Sequence, residues 1–235
     1  MEALLPVVTE DESSDLDMII PISVAVIYNN GENPELKVSV CKSCKSIGTE
    51  FIQKFEKNPL SNKARNFILT RLTDILSERG FAPNKDYIFT DTKEYILTNI
   101  IKIKKTLILP QTIILPKSDY KNYDNITSFE PDEIQLKNDY FPYFAISDRG
   151  KILSVAAVNG TPKNQTAEIS IDTASSYRRK GFASAAVTKA AQYLLLHGFS
   201  VSYVTFSDNL QSARLAEKCG FDLKSVCFDG VCTRM

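Results

Sequence analysis

The chain has no tryptophan and only one histidine, His197. A single imidazole leaves no material for a multi-histidine metal site and little for a histidine-based triad. His197 also falls at the tail of a predicted helix, where an imidazole caps carbonyls. Charge of one sign is missing too. Lys plus Arg and Asp plus Glu both number 28, so the chain as a whole exerts no pull on nucleic acid or on an anionic membrane surface, and neither is expected as a partner. No apolar run reaches the roughly eighteen residues that a membrane span requires. The stretch Met1 to Glu12 is acidic where a signal peptide would be basic and then apolar, so the expected compartment is the cytoplasm. The cysteines number five, an odd count that suits a reducing compartment better than a disulfide framework. Cys41-Lys-Ser-Cys44 has the spacing of half a zinc site. The remaining cysteines, Cys219, Cys227 and Cys232, lie far away at irregular intervals, so free thiols and no metal are expected.

The composition that remains is that of an ordinary globular chain of 235 residues, 43% of them hydrophobic. That is enough for one large core or two small ones. Residues 1–18 carry Glu2, Glu10, Asp11, Glu12, Asp15 and Asp17 and read as an acidic arm. Ile19 to Tyr28 and Leu36 to Val40 predict a strand pair. Two helices are predicted over residues 49–57 and 62–79, the second bearing an apolar stripe and closed by Gly80. Residues 86–91, 93–98 and 100–109 read as β segments. Pro110 and Pro116 bracket Ile113-Ile114-Leu115, and the polar stretch that follows sets a domain boundary near Pro116. The expected organisation is an amino-terminal α/β domain over residues 19–116 and a carboxy-terminal domain over residues 117–235. In the latter, residues 130–138 predict a short helix or loop. Tyr143 to Val158 predict a hairpin turning at Asp148-Arg149-Gly150, and Leu223 to Met235 a second hairpin turning at Asp229-Gly230.

The stretch Ala167 to Ala183 organises the rest. Ala167, Ile169 and Ile171 alternate with Glu168, Ser170 and Asp172 as a half-buried strand should. Beyond Gly181 the period changes: Ala183, Ala186, Val187, Ala190, Ala191, Leu194 and Leu195 recur at three and four residues and trace a helix face. The basic turn Arg178-Arg179-Lys180-Gly181 therefore sits at a helix N-terminus, where unpaired N–H groups and the helix dipole already favour an anion. Gly181 supplies an unusual backbone angle or room for close approach, and Ala183 keeps the next turn open. The chemistry indicated is diphosphate binding.

The spacing Arg178-x-x-Gly181-x-Ala183 resembles the Q/R-x-x-G-x-G/A signature of the GNAT superfamily of N-acetyltransferases. A second segment, Asn209-Leu-Gln-Ser212 through Gly220-Phe221, resembles that family's N-x-x-S-x-x-x-(Y)-x-x-x-G-F. The resemblance runs from Tyr140 to Phe221. It implies a mixed α/β (α+β) fold with a mostly antiparallel sheet flanked by helices, beside the smaller amino-terminal domain, and acetyl-coenzyme A as cosubstrate without a metal. Its pyrophosphate would take the N–H groups of Arg179, Lys180, Gly181, Phe182, Ala183 and Ser184, next to Arg178. Its pantetheine arm would pair with Ile171, Asp172 and Thr173, where the strand parts from its neighbour. Asn209 and Ser212 would meet the same arm, although Asn209 reads equally as a plain N-cap.

Glu168 resembles the general-base glutamate that some members carry, and it would accept a proton from an amine, often through water. It reads equally as an ordinary strand carboxylate. A backbone N–H near Thr173 would polarise the thioester carbonyl. The chain departs from the pattern at Ala216, where many members place the tyrosine that protonates the departing thiolate; Cys219, Tyr203 and water stand as substitutes. The acceptor implied is a primary amine, a small molecule before a protein amino group. The alternative is a non-catalytic acetyl-coenzyme A sensor.

Overall fold

The computed structural model describes residues 5–10, 22–28, 33–41, 44–78, 87–115 and 141–232. The chain divides into two compact units that interleave along the sequence. The first holds residues 1–93, 206–208 and 223–235; the second holds residues 94–205 and 209–222. The boundary expected near Pro116 falls inside the second unit.

In the first unit β2 (Ile22–Ile27) and β3 (Glu35–Val40) pair antiparallel, as their alternation predicts. β1 (Leu5–Glu10) adds in parallel to β3. Part of the expected acidic arm is therefore a strand: Leu5, Val7 and Val8 precede the acidic run, and Pro6 is tolerated because β1 is the edge strand. Helices α1 (Lys45–Phe55) and α2 (Asn62–Glu78) share a core with β2 and β3. Its centre is aromatic, with Phe51, Phe55 and Phe67 at ring separations of 5.3 to 6.4 Å. Cys41 and Cys44 are buried in this core.

β10 (Asp222–Cys232) pairs antiparallel with β2 over residues 225–230. It replaces the expected terminal hairpin. Asp229 and Gly230 sit in the ladder opposite Ser23 and Ile22, so a complete partner strand overrides the local turn signal. The strand expected over residues 86–91 and 93–98 is one element, β4 (Tyr87–Leu97). The β segment expected over residues 100–109 is instead two 3₁₀ turns, Ile100–Lys102 and Lys105–Leu107. Asn99 causes the first: its Oδ1 accepts from the Ile101 N–H at 2.8 Å, a local bond that competes with any ladder.

The second unit orders its strands β9-β8-β7-β6-β5. β5 (Thr112–Leu115), β6 (Tyr143–Asp148), β7 (Lys151–Val158) and β8 (Thr166–Thr173) run antiparallel in turn, and β9 (Ser200–Phe206) pairs parallel to β8. The β6–β7 hairpin turns through Arg149 and Gly150, both at positive φ, the twist a tight hairpin favours. Helix α3 (Phe182–Leu196) lies on this sheet through Ala186, Val187, Ala190, Ala191 and Leu194, all fully buried. Alanines at the contact bring the helix backbone close to the strands. Helix α4 (Leu210–Cys219) adds Ala213, Ala216 and Cys219 to the same core. It ends at Gly220, whose φ of 97° suits glycine and whose added Cβ would lie 2.5 Å from the Lys102 carbonyl oxygen. Both units mix helix with mostly antiparallel sheet, the class expected. The segment predicted over residues 130–138 lies outside the described residues.

Candidate active site

β8 has two different edges. Toward β7 it is laddered from Ile169 to Thr173. Toward β9 the register stops after three pairs, the last being Glu168 with Ser202. Past that point the two strands part, and Tyr203 is the first β9 residue beyond the ladder. The Glu168 carbonyl accepts from Asn159 N–H, and the Ala174 N–H donates to Leu153 O, both on the β7 side. Alternation along a strand then turns the backbone groups of Ile169, Ile171 and Thr173 toward the split.

The split opens into a cleft of about 580 Å³ at the starts of α3 and α4. Of the residues that the sequence assigns to the cofactor, Ile171, Asp172, Thr173, Arg178, Arg179, Gly181, Phe182, Ala183, Ser184, Asn209 and Ser212 all line it. Lys180 does not. It is exposed, with its ammonium 4.9 Å from the centre of the Tyr177 ring. Glu168 also lies outside the lining, three residues back along β8 and half-buried; one carboxylate oxygen accepts from Asn159 Nδ2 at 2.8 Å.

The turn into α3 is built to expose amides. Arg179 and Gly181 have φ of 66° and 84°, both in the left-handed region. For the arginine this costs about 1–2 kcal/mol, strain of the kind that clusters at functional sites. No side chain caps α3, and Ala185 N–H makes the first bond back to Gly181 O. The amides of Phe182, Ala183 and Ser184 precede that bond and belong to residues of the cleft wall. A Cβ at Gly181 would meet nothing within 4 Å, so the glycine leaves open space at the helix start.

At the β8 end, Thr173 is already engaged. Its N–H donates to Asp172 Oδ1 at 2.6 Å, and its carbonyl accepts from Arg178 Nε at 3.2 Å. Ser154 Oγ lies 2.7 Å from Thr173 Oγ1 and donates to Asp172 O. The carbonyl-polarising amide expected near Thr173 is thus satisfied within the protein, because Asp172 folds its own carboxylate onto it. Ile171 is the next residue whose N–H turns to the split.

Across the cleft, Asn209 Oδ1 accepts from Ser212 N–H at 3.1 Å, an N-cap of α4. The Tyr203 hydroxyl lies 2.8 Å from Ser212 Oγ. Cys219, the other named substitute for the missing tyrosine, is buried away from the lining, and its Sγ points to Ser184 O at 3.7 Å. Burial holds this thiol above its ordinary pKa.

Residues 110–221 match the acetyltransferase (GNAT) family. The sequence likeness to GNAT acetyltransferases is confined to that stretch. Among solved structures, a protein assigned to the GNAT family from Novosphingobium aromaticivorans is 16% identical over 64% of this chain and 69% of its own, with a TM-score of 0.51. A GNAT-family acetyltransferase from Colwellia psychrerythraea is 15% identical over 67% of this chain and 62% of its own, with a TM-score of 0.49. At 16% identity the likeness to the Novosphingobium protein concerns the fold. No curated protein matches the chain in sequence. The cleft also has walls that the sequence pattern did not assign: Tyr177, Gln211, Arg214, Leu215 and Lys218. Arg214 and Lys218 stand four apart on α4, a spacing that places two cations on one helix face and was open to reading.

Proposed function

We propose that this cleft binds acetyl-coenzyme A and that the protein transfers the acetyl group to a primary amine. The observation that carries this reading is the uncapped, glycine-entered start of α3 at the mouth of the β8–β9 split. It offers several amides and, with Arg178 and Arg179, positive charge to a diphosphate, while the open β8 edge offers strand-like pairing to the pantetheine amides. Arg214 and Lys218 add positive charge to the opposite wall.

The reaction follows from these positions. The Ile171 N–H polarises the thioester carbonyl. Strand alternation sets Glu168 and Asp172 on the face of β8 opposite the buried Ala167 and Ile169. The amine approaches from that face, and its proton passes to Glu168 directly or through water. The amine nitrogen then attacks the carbonyl carbon, the C–S bond breaks and the thiolate leaves. A small-molecule amine is the favoured acceptor because the balanced charge of the chain provides no broad attraction for a basic protein tail.

The reading is tested by calorimetric titration of the full chain with acetyl-coenzyme A. Micromolar binding, on the order of −8 kcal/mol, is expected for the wild type. Gly181→Glu fills the open helix start with bulk and negative charge and should abolish binding. No binding by the wild type, or equal binding by both proteins, overturns it. A second reading, a non-catalytic acetyl-coenzyme A sensor, is favoured by one observation: Ala216 is fully buried where a GNAT tyrosine commonly stands. Release of free thiol on incubation with a panel of amines separates the two.

A further inference from the structure

The tyrosine missing from α4 leaves the departing thiolate without its usual proton. A hydroxyl is nevertheless present in the cleft, on a different element. Tyr203 stands on β9 at the point where the β8–β9 ladder ends, with its side chain 2% exposed. Its ring packs edge-on against Phe221 at 6.0 Å, which fixes the direction of the hydroxyl. That hydroxyl reaches the cleft wall and lies 2.8 Å from Ser212 Oγ. Ser212 is itself held by the Asn209 cap through its N–H. A rigid ring thus delivers one O–H to the inner end of the split, opposite the open Ile171 edge of β8.

We propose that Tyr203 is the proton donor to the coenzyme A thiolate, with Ser212 relaying its replacement proton. This deepens the acetyl-coenzyme A reading and rests on it. As the C–S bond breaks, its electron pair stays on sulfur, and the Tyr203 O–H proton transfers to that sulfur to give the free thiol. The tyrosinate takes a proton from Ser212 Oγ, which regains one from solvent in the cleft. The proton lost by the amine leaves separately, so the overall exchange is acetyl for hydrogen between amine and thiol. Burial, opposed in part by the Ser212 hydrogen bond, raises the pKa of Tyr203 above that of an ordinary tyrosine. The hydroxyl is therefore protonated at the start of each turnover, as a donor must be. Among the charged and titratable groups around it are Asp172 on β8, Arg178 and Arg179 in the turn, and Arg214, Lys218 and Cys219 on α4. Burial raises the pKa of the Cys219 thiol and so favours its protonated form.

The test needs no acceptor. A donor aimed at sulfur stabilises the bound thiolate, so wild-type affinity for free coenzyme A should rise about tenfold between pH 7 and 9.5, as the thiol ionises more readily on the protein than in water. In Tyr203→Phe that rise should vanish while acetyl-coenzyme A affinity stays within about twofold. Ser212→Ala, which leaves the tyrosine in place but unheld, should show a smaller rise and serves should the phenylalanine variant fold poorly. The same rise in wild type and both variants overturns the proposal while leaving the coenzyme site intact. Absence of any coenzyme A binding to the wild type overturns the acetyl-coenzyme A reading and this one with it.

Discussion

Two helices begin at the same cleft, and they begin differently. α4 is capped by Asn209, whose Oδ1 takes the Ser212 N–H. α3 has no side-chain cap and enters through two residues at positive φ, one of them an arginine. A cap satisfies a helix's own amides and contributes stability. An open start leaves those amides to water, which an anion can replace. The difference separates the two walls: α4 closes on its own cap, with Ser212 beside the Tyr203 hydroxyl, whereas α3 presents the start at which the proposed diphosphate would sit.

Substitutions should separate the two. Gly181→Glu breaks the open start and should cost at least about a hundredfold in acetyl-coenzyme A affinity, or ~2.7 kcal/mol. Its stability should fall by about 1–2 kcal/mol, because Gly181 sits at a φ of 84° where any side chain is strained even though it meets open space; the loss of affinity is therefore read at a temperature where the variant is folded. Glu168→Gln lies away from both helix starts. It should lower turnover by about a hundredfold and leave coenzyme affinity within about twofold; an unchanged rate at all pH values would remove Glu168 from the mechanism. Asn209→Ala removes the cap of α4 and should lower stability by about 1 kcal/mol, read from a denaturant midpoint, while weakening acetyl-coenzyme A only severalfold. An Asn209 variant that lost binding as completely as the Gly181 variant would erase the distinction.

The site was legible in the sequence where its signals are local. Strand alternation from Ala167, the change of period after Gly181 and the two spaced motifs all lie within one segment, and the structure gathers nearly all of their residues at one cleft. What the sequence hid depends on partners distant in the chain or on competition at one amide. Asp229-Gly230 carries a strong turn signal, but β2 offers it a ladder. The alternating Ile and Lys of residues 100–105 suggest a strand, but Asn99 bonds the Ile101 amide first. That Asp172 closes the Thr173 amide, leaving Ile171 as the residue facing the split, is a matter of one side-chain rotamer. Tyr203 was readable as a candidate, yet its choice over Cys219 required knowing which of the two faces the cleft.

β10 carries a consequence for how the protein is made. Residues 225–230 pair with residues 22–27, so about two hundred residues of synthesis separate a strand from its partner. Until β10 leaves the ribosome, one edge of β2 stays bare and apolar residues around Phe228 lack their cover. Loop closure over such a span is slow, and an exposed strand edge invites association between nascent chains. The ladder on that edge of β2 is therefore completed only after β10 is made, and that interval is where chaperone dependence should concentrate.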